Sequence, residues 1–119
     1  ERIVELYSES ELAIVPSLYE GFSLPAIEAM SCGVPLVTTT GGALPEVTGT
    51  HNETCFQVPP GDSEALAAMI REALDNPEAR NRVGMQGRQR VIDHWSWHHT
   101  ALRTVEQYRA LLEENRGTK

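Results

Sequence analysis

Two short strand-like runs, one apolar and one rich in β-branched residues, set a helix's length apart, constrain this chain more than any other feature. They are Leu12-Ala13-Ile14-Val15 and Pro35-Leu36-Val37-Thr38-Thr39-Thr40. The first, a continuous apolar run, marks a strand buried on both faces, as in a parallel sheet, and the second is a strand by its β-branched residues. Parallel neighbours need a crossover, usually a helix. The intervening sequence supplies one. Pro16 to Phe22 reads as a loop, Pro25 suits a first helical position, and Ala26 to Cys32 runs to Gly33, a natural helix stop. Gly41-Gly42 breaks the second strand, Leu44 to Val47 reads as a helical turn, and Thr54 to Val58 is a third strand ended by Pro59-Pro60-Gly61.

The flanks are helical. Residues 1–8 read as the tail of a helix with Ile3, Val4, Leu6 and Tyr7 on its apolar side. Asp62-Ser63-Glu64 caps a helix through about Asp75, with Leu66, Met69, Ile70 and Leu74 as its buried stripe. After Asn76-Pro77 a second helix covers about 78–93 and buries Val83, Val91 and Ile92. Gly84 and Gly87 inside it lower helix propensity and imply close packing against a neighbour. A last helix spans about 97–114 with Leu102, Val105, Tyr108 and Leu112 at helical spacing. The fold class is therefore α/β, a Rossmann-like parallel sheet with flanking helices. Three strands fall short of the usual four to six, so the chain reads as the second half of a doubly wound domain.

Charge and composition remove several function classes. Ten Lys+Arg against 17 Asp+Glu give a net charge of −7 over 119 residues, which disfavours nucleic-acid phosphates and anionic lipid. No run approaches the roughly 18 apolar residues of a membrane helix, and the start lacks the pattern of a signal peptide. Two cysteines, Cys32 and Cys55, do not make a disulfide framework. The expected location is cytoplasmic, with a peripheral membrane association left open for a longer protein.

Ligands of open parallel sheets bind outside the carboxyl ends of the strands. There the first loop carries Glu20, then Gly21-Phe22-Ser23-Leu24-Pro25, with Glu28 about one turn into the helix. A helix amino end offers unpaired N–H groups and partial positive charge, which favours a phosphate. Gly21 permits close backbone approach. An ionised carboxylate only accepts, so Glu28 can hold the paired hydroxyls of a ribose, and Glu20 those of a second sugar beyond the phosphates. From spacing alone, the reading of both glutamates as solvated charges prevails.

The stretch from Leu12 to Val47, LAIVPSLYEGFSLPAIEAMSCGVPLVTTTGGALPEV, resembles the donor-binding region of family 4 (group 1) retaining glycosyltransferases of the B-type fold. Glu20 and Glu28 match the E-x7-E pattern. The likeness extends through Val58-Pro59-Pro60-Gly61-Asp62, Asn76-Pro77, Gly84, Gly87 and Ser96-Trp97. It implies two Rossmann-like domains with the site between them, and transfer of a hexose from a nucleotide-diphosphate sugar with retained configuration. It implies that Glu28 holds the donor ribose and that Glu20, the nearest to a catalytic group, bonds the transferred sugar beside Gly21 and Phe22. The backbone near Ser23 and Leu24 would meet the diphosphate, and Glu46 with the Gly41-Gly42 turn would line the pocket less directly. No Asp-x-Asp pair is present, and no metal or other cofactor is expected. The family's diphosphate-binding Arg and Lys, its acceptor-binding amino-terminal domain and most base contacts would lie upstream. The chain is expected to be a carboxy-terminal fragment, inactive alone, with the apolar stripe of its last helix inviting self-association. Two alternatives are a nucleotide-sugar 2-epimerase of the same fold and a non-catalytic interaction module.

Weaker signals take structural readings. His94 and His98 stand four apart but lack the His-Glu-x-x-His context and a third ligand. His51 and His99 read as surface residues, and the sequon Asn52-Glu53-Thr54 as unused. Trp95 and Trp97 read as packing anchors, because they lie far along the chain from the donor loops. Cys32 fills space, and Arg80, Arg82, Arg88 and Arg90 form a solvated basic face.

Overall fold

The computed structural model describes residues 2–95 and 97–117. Ser96 and the side chains of Ile3, Val4, Trp97, His98, His99 and Leu102 lie outside the described residues, and with them the readings that rest on those groups.

The elements follow the order α1 (Arg2–Glu9), β1 (Ala13–Val15), α2 (Leu24–Ser31), β2 (Leu36–Thr39), α3 (Leu44–Thr48), β3 (Phe56–Val58), α4 (Ser63–Leu74), α5 (Pro77–His94) and α6 (Trp97–Gly117). The described strands form one parallel sheet, β1-β2-β3, with Ile14 opposite Val37 and Thr38 opposite Gln57. The predicted α/β class is the observed one.

The central strand shows why the sheet needs cover on both sides. Leu36, Val37, Thr38 and Thr39 are all buried, although strand side chains alternate between faces. Leu36 joins Val15, Ala26, Ala29, Met30, Leu44 and Val91 in one core cluster, under α2 and α3. Val37 joins Phe56, Ala73, Ala79 and Val83 in a second, under α4. Full burial of a side chain such as Leu36 or Phe56 contributes about 1.5–3 kcal/mol, so β2 is the strand on which both layers depend.

Helix α5 ties the two layers together. Its early residues Ala79 and Val83 sit in the second cluster and its late residue Val91 in the first. Between them it passes the turns that lead into β2 and β3. A Cβ at Gly84 would overlap the Gly33 carbonyl oxygen, and one at Gly87 would overlap that of Thr54. The two glycines that weaken the helix are the ones that let it cross there, as expected.

Several expectations are corrected. β1 is not buried on both faces: Ile14 is 43% exposed, because β1 is an edge of the described sheet and the second core cluster is centred on β2 and β3. On α4 only Ala73 is fully buried, whereas Leu66, Met69 and Ile70 are partly covered and Leu74 is exposed. Ile92 of α5 is also exposed. β3 begins at Phe56, since Thr54 closes a turn and Cys55 makes only an isolated bridge to His51. α2 begins at Leu24, with Pro25 in its first turn.

Helix α6 stands away from the rest. Its described side chains from Thr104 to Glu114 are all exposed, including Val105, Tyr108, Leu111 and Leu112. The Cα radius of gyration, 16.9 Å, exceeds the roughly 13.5 Å of a compact domain of this length for the same reason.

Candidate functional site

The loops that follow β1 and β2 meet backbone to backbone. The Thr39 hydroxyl, at the end of β2, donates to the Ser17 carbonyl at 2.5 Å and accepts the Gly41 amide at 3.2 Å. The Ala43 amide donates to the Glu20 carbonyl at 2.7 Å. A Cβ at Gly41 would overlap the Leu18 carbonyl, and one at Gly42, whose φ is +59°, would overlap the Glu20 backbone. Gly41-Gly42 is thus the surface on which the first loop rests, a more direct role than lining a pocket.

This seating fixes Glu20. Its backbone is held by the second loop, and its carboxylate accepts the Ser17 hydroxyl at 3.0 Å. Gly21, next in the chain, is exposed, and a Cβ there would meet nothing within 4 Å. A ligand therefore has room against its backbone.

The tip of α2 is more selective than a bare helix end. Ser23 is the N-cap, with φ −112° and ψ 101°, and its hydroxyl oxygen accepts the Ala26 amide at 3.2 Å. Its carbonyl accepts the Ile27 amide at 3.2 Å. Pro25 carries no N–H. The expectation of several free amides is narrowed to those of Ser23 and Leu24 as the donors the tip can offer an anion. Ser23 can offer an anion only its backbone, since its side chain is 1% exposed and already engaged.

Glu28 leaves the helix on another side. It is exposed, and the Tyr7 hydroxyl of α1 donates to its Oε2 at 3.5 Å. Burial, then the negative charge of Glu28 and the bond to it, push the Tyr7 phenol above its ordinary value of 10.0. Tyr7 therefore remains a neutral donor beside the carboxylate. Its place was not foreseen from sequence, where it was read as part of an apolar helix side. The Glu20 carboxylate is bonded within its own loop, by Ser17, and the Glu28 carboxylate by Tyr7 of α1, so different elements hold the two side chains.

Glu46 lies on α3 with an exposed side chain, and its carbonyl accepts Arg90 at 2.7 Å. The basic residues of α5 are a solvated face only in part, since Arg82 and Arg88 are exposed and Arg80 and Arg90 half-buried. Arg90 also donates to the Val47 carbonyl at 3.1 Å, Arg80 donates to the Ala73 and Leu74 carbonyls at the end of α4, and Arg82 reaches Asn52. Three of the four arginines thus cap helix ends or hold a turn. Trp95 is a packing anchor, as expected, but it is not remote from the site. Its ring meets that of Phe22 edge-on at 5.6 Å, and its Nε1–H donates to the Val47 carbonyl at 3.2 Å. His51 is exposed and accepts the Gln57 amide at its Nδ1.

On the β3 side of the first loop, a groove of about 200 Å³ runs between Pro16, Leu18, Thr39, Val58 and Asp62. Among the described residues no group of three or more His, Cys, Asp or Glu could hold a metal ion, and no helix is long and apolar enough to cross a membrane.

A parallel sheet layered by helices, with Glu20 in the loop after its first strand and Glu28 on the helix that follows, is a Rossmann-like α/β unit. The sequence profile of the family described as Glycosyl transferases group 1 matches residues 1–90, and the chain belongs to that family. It is 44% identical over 108 residues to MMP alpha-(1->4)-mannosyltransferase of Mycolicibacterium hassiacum, covering 91% of this chain and 26% of that protein. Sucrose-phosphate synthase from Thermosynechococcus elongatus superposes with a TM-score of 0.83 at 38% identity, over 92% of this chain and 27% of that one. Anabaena HepE, solved in complex with UDP-glucose, superposes with a TM-score of 0.85 at 22% identity, over 92% and 30% of the two chains, a likeness of fold alone. The chain spans about a quarter of the length of the curated relatives it matches.

Proposed function

We propose that this chain is the donor-binding part of the carboxy-terminal domain of a retaining, family 4 glycosyltransferase, which moves a hexose from a nucleotide-diphosphate sugar to an acceptor. The observation that carries the reading is the α2 tip, which offers the Ser23 and Leu24 amides, with Glu20 in the loop before it and Glu28 about one turn inside it. The mannosyltransferase and synthase names of its relatives favour a sugar donor.

In this reading the diphosphate sits on the tip. Glu28 takes the ribose diol, and Glu20 takes hydroxyls of the hexose beside Gly21 and Phe22. As the bond from the anomeric carbon to the leaving oxygen breaks, charge grows on the diphosphate. Fixed N–H dipoles that need no reorganisation stabilise it. The reading requires no metal and no other cofactor. The cations that would complete the neutralisation belong to the part of the protein before this segment. The unpaired outer edge of β1, with exposed Ile14, is where further strands would extend the sheet. The exposed α6 stripe would be covered by the rest of the protein, or by a second copy when this segment stands alone.

Titration of the intact protein with UDP-, GDP- and ADP-sugars, followed by product analysis with and without acceptor, tests this. Acceptor-dependent transfer supports the reading. Isomerised donor without acceptor would instead mark an epimerase, and no binding of any nucleotide sugar an interaction module.

A further inference from the structure

We infer that Trp95 is a positioning residue that holds the first loop and α3 in fixed relation, and so sets where Gly21, Phe22 and Glu46 stand around a donor. The inference rests on the donor-site reading for its functional consequence, and on geometry for the strut itself. Trp95 closes the end of α5, where its amide donates to the Val91 carbonyl at 2.8 Å. One edge of its half-buried ring system meets Phe22, the residue before the N-cap of α2. Its Nε1–H reaches the Val47 carbonyl of α3, the residue after Glu46. The same carbonyl also accepts Arg90 at 3.1 Å, and Arg90 takes the Glu46 carbonyl as well. A carbonyl has two lone pairs, and here the last turns of α5 fill both.

The ring is the part that cannot be spared. Phe22 is 52% exposed and has no other aromatic partner among the described residues. The Nε1–H bond is backed by Arg90, so losing it alone leaves α3 held. Trp95→Phe should therefore preserve the strut and Trp95→Ala should remove it. Phe22→Ala should remove it from the solvent side, where misfolding is no concern.

The test is amide hydrogen exchange on the intact protein, read beside donor affinity. Trp95→Ala and Phe22→Ala are expected to raise exchange at least tenfold at the bonded amides of the rim, Ala26, Ile27 and Ala43, with β2 amides such as Val37 unchanged and Trp95→Phe close to wild type. The double variant should be no worse than either single one. Uniform loss of protection across β2, or unaltered exchange at Ala26, Ile27 and Ala43 in Phe22→Ala, overturns the inference. Exchange decides the strut whether or not nucleotide sugar binds, so a wild-type protein that binds none sinks the donor reading separately.

Discussion

The Ala43 amide donates to the Glu20 carbonyl at 2.7 Å, and this bond joins the loops after β1 and β2 into one rim. It forms only because Gly42, at φ +59°, presents no side chain to Glu20. The position of one proposed sugar-binding carboxylate therefore depends on a residue that contributes no chemistry.

Gly42→Ala should separate the loops. A non-glycine residue in that conformation costs about 1–3 kcal/mol, and overlap with the Glu20 backbone adds to it. The expected result is a lower melting temperature together with weaker nucleotide-sugar binding. A variant with both properties intact would show that the rim tolerates the displacement.

Glu28→Gln should weaken nucleoside diphosphate binding about 10- to 100-fold, because charge-assisted bonds contribute about 1.5–3 kcal/mol. Calorimetric titration reads this directly. Unchanged affinity removes Glu28 from the site and leaves it as a surface partner of Tyr7.

Glu20→Ala should lower turnover more than affinity for the sugar-free nucleotide, since its proposed partner is the hexose. Comparing kcat with the Kd of nucleoside diphosphate separates the two. An equal loss in both places Glu20 against the nucleotide instead.

Gly84→Ala sets helix propensity against packing. Propensity gains about 1 kcal/mol, but the new Cβ would overlap the Gly33 carbonyl oxygen, a backbone atom that cannot step aside cheaply. Overpacking costs about 1–3 kcal/mol, so packing should prevail and denaturant unfolding should show a net loss of up to about 2 kcal/mol. A stabilised variant would mean that α5 can lift from the Gly33 turn.

Alkaline pH should destabilise the fold through Cys55. Burial pushes its thiol above the ordinary 9.0, against smaller opposing contributions from Thr48, Thr54, Arg90 and Gln57. The native state then keeps a proton that the unfolded state releases. The resulting stability is complete below about pH 9 and is lost as pH rises through the native value. Tyr7 acts in the same sense from 10.0 upward. Cys55→Ala should lose less stability than wild type between pH 8.5 and 10, and parallel curves would contradict this.

The layered sheet was legible because its signals are local. Leu36 to Thr39 is apolar or β-branched throughout, Gly33 and Asp62 punctuate the helices, and Gly84 and Gly87 announced a close crossing. Glu20 and Glu28 stand out in the sequence through the motif around them, and their pairing around a donor is a proposal. What was not legible is the support around them. Tyr7 stands 21 residues before Glu28, and Trp95 stands 48 beyond Val47, so no spacing rule links them. Arginines on a helix face look solvated in sequence, and only the fold reveals that Arg80 and Arg90 cap the ends of other helices. The edge position of β1 was hidden for a related reason, because burial of Ile14 depends on strands and helices beyond its own run.

The most direct measurement is a crystal structure of the intact protein soaked with nucleoside diphosphate. Pyrophosphate density against the Ser23 and Leu24 amides, with the Glu28 carboxylate turned to the ribose, is the predicted result. Nucleotide bound away from the α2 tip, or a tip covered by neighbouring protein, would contradict the account.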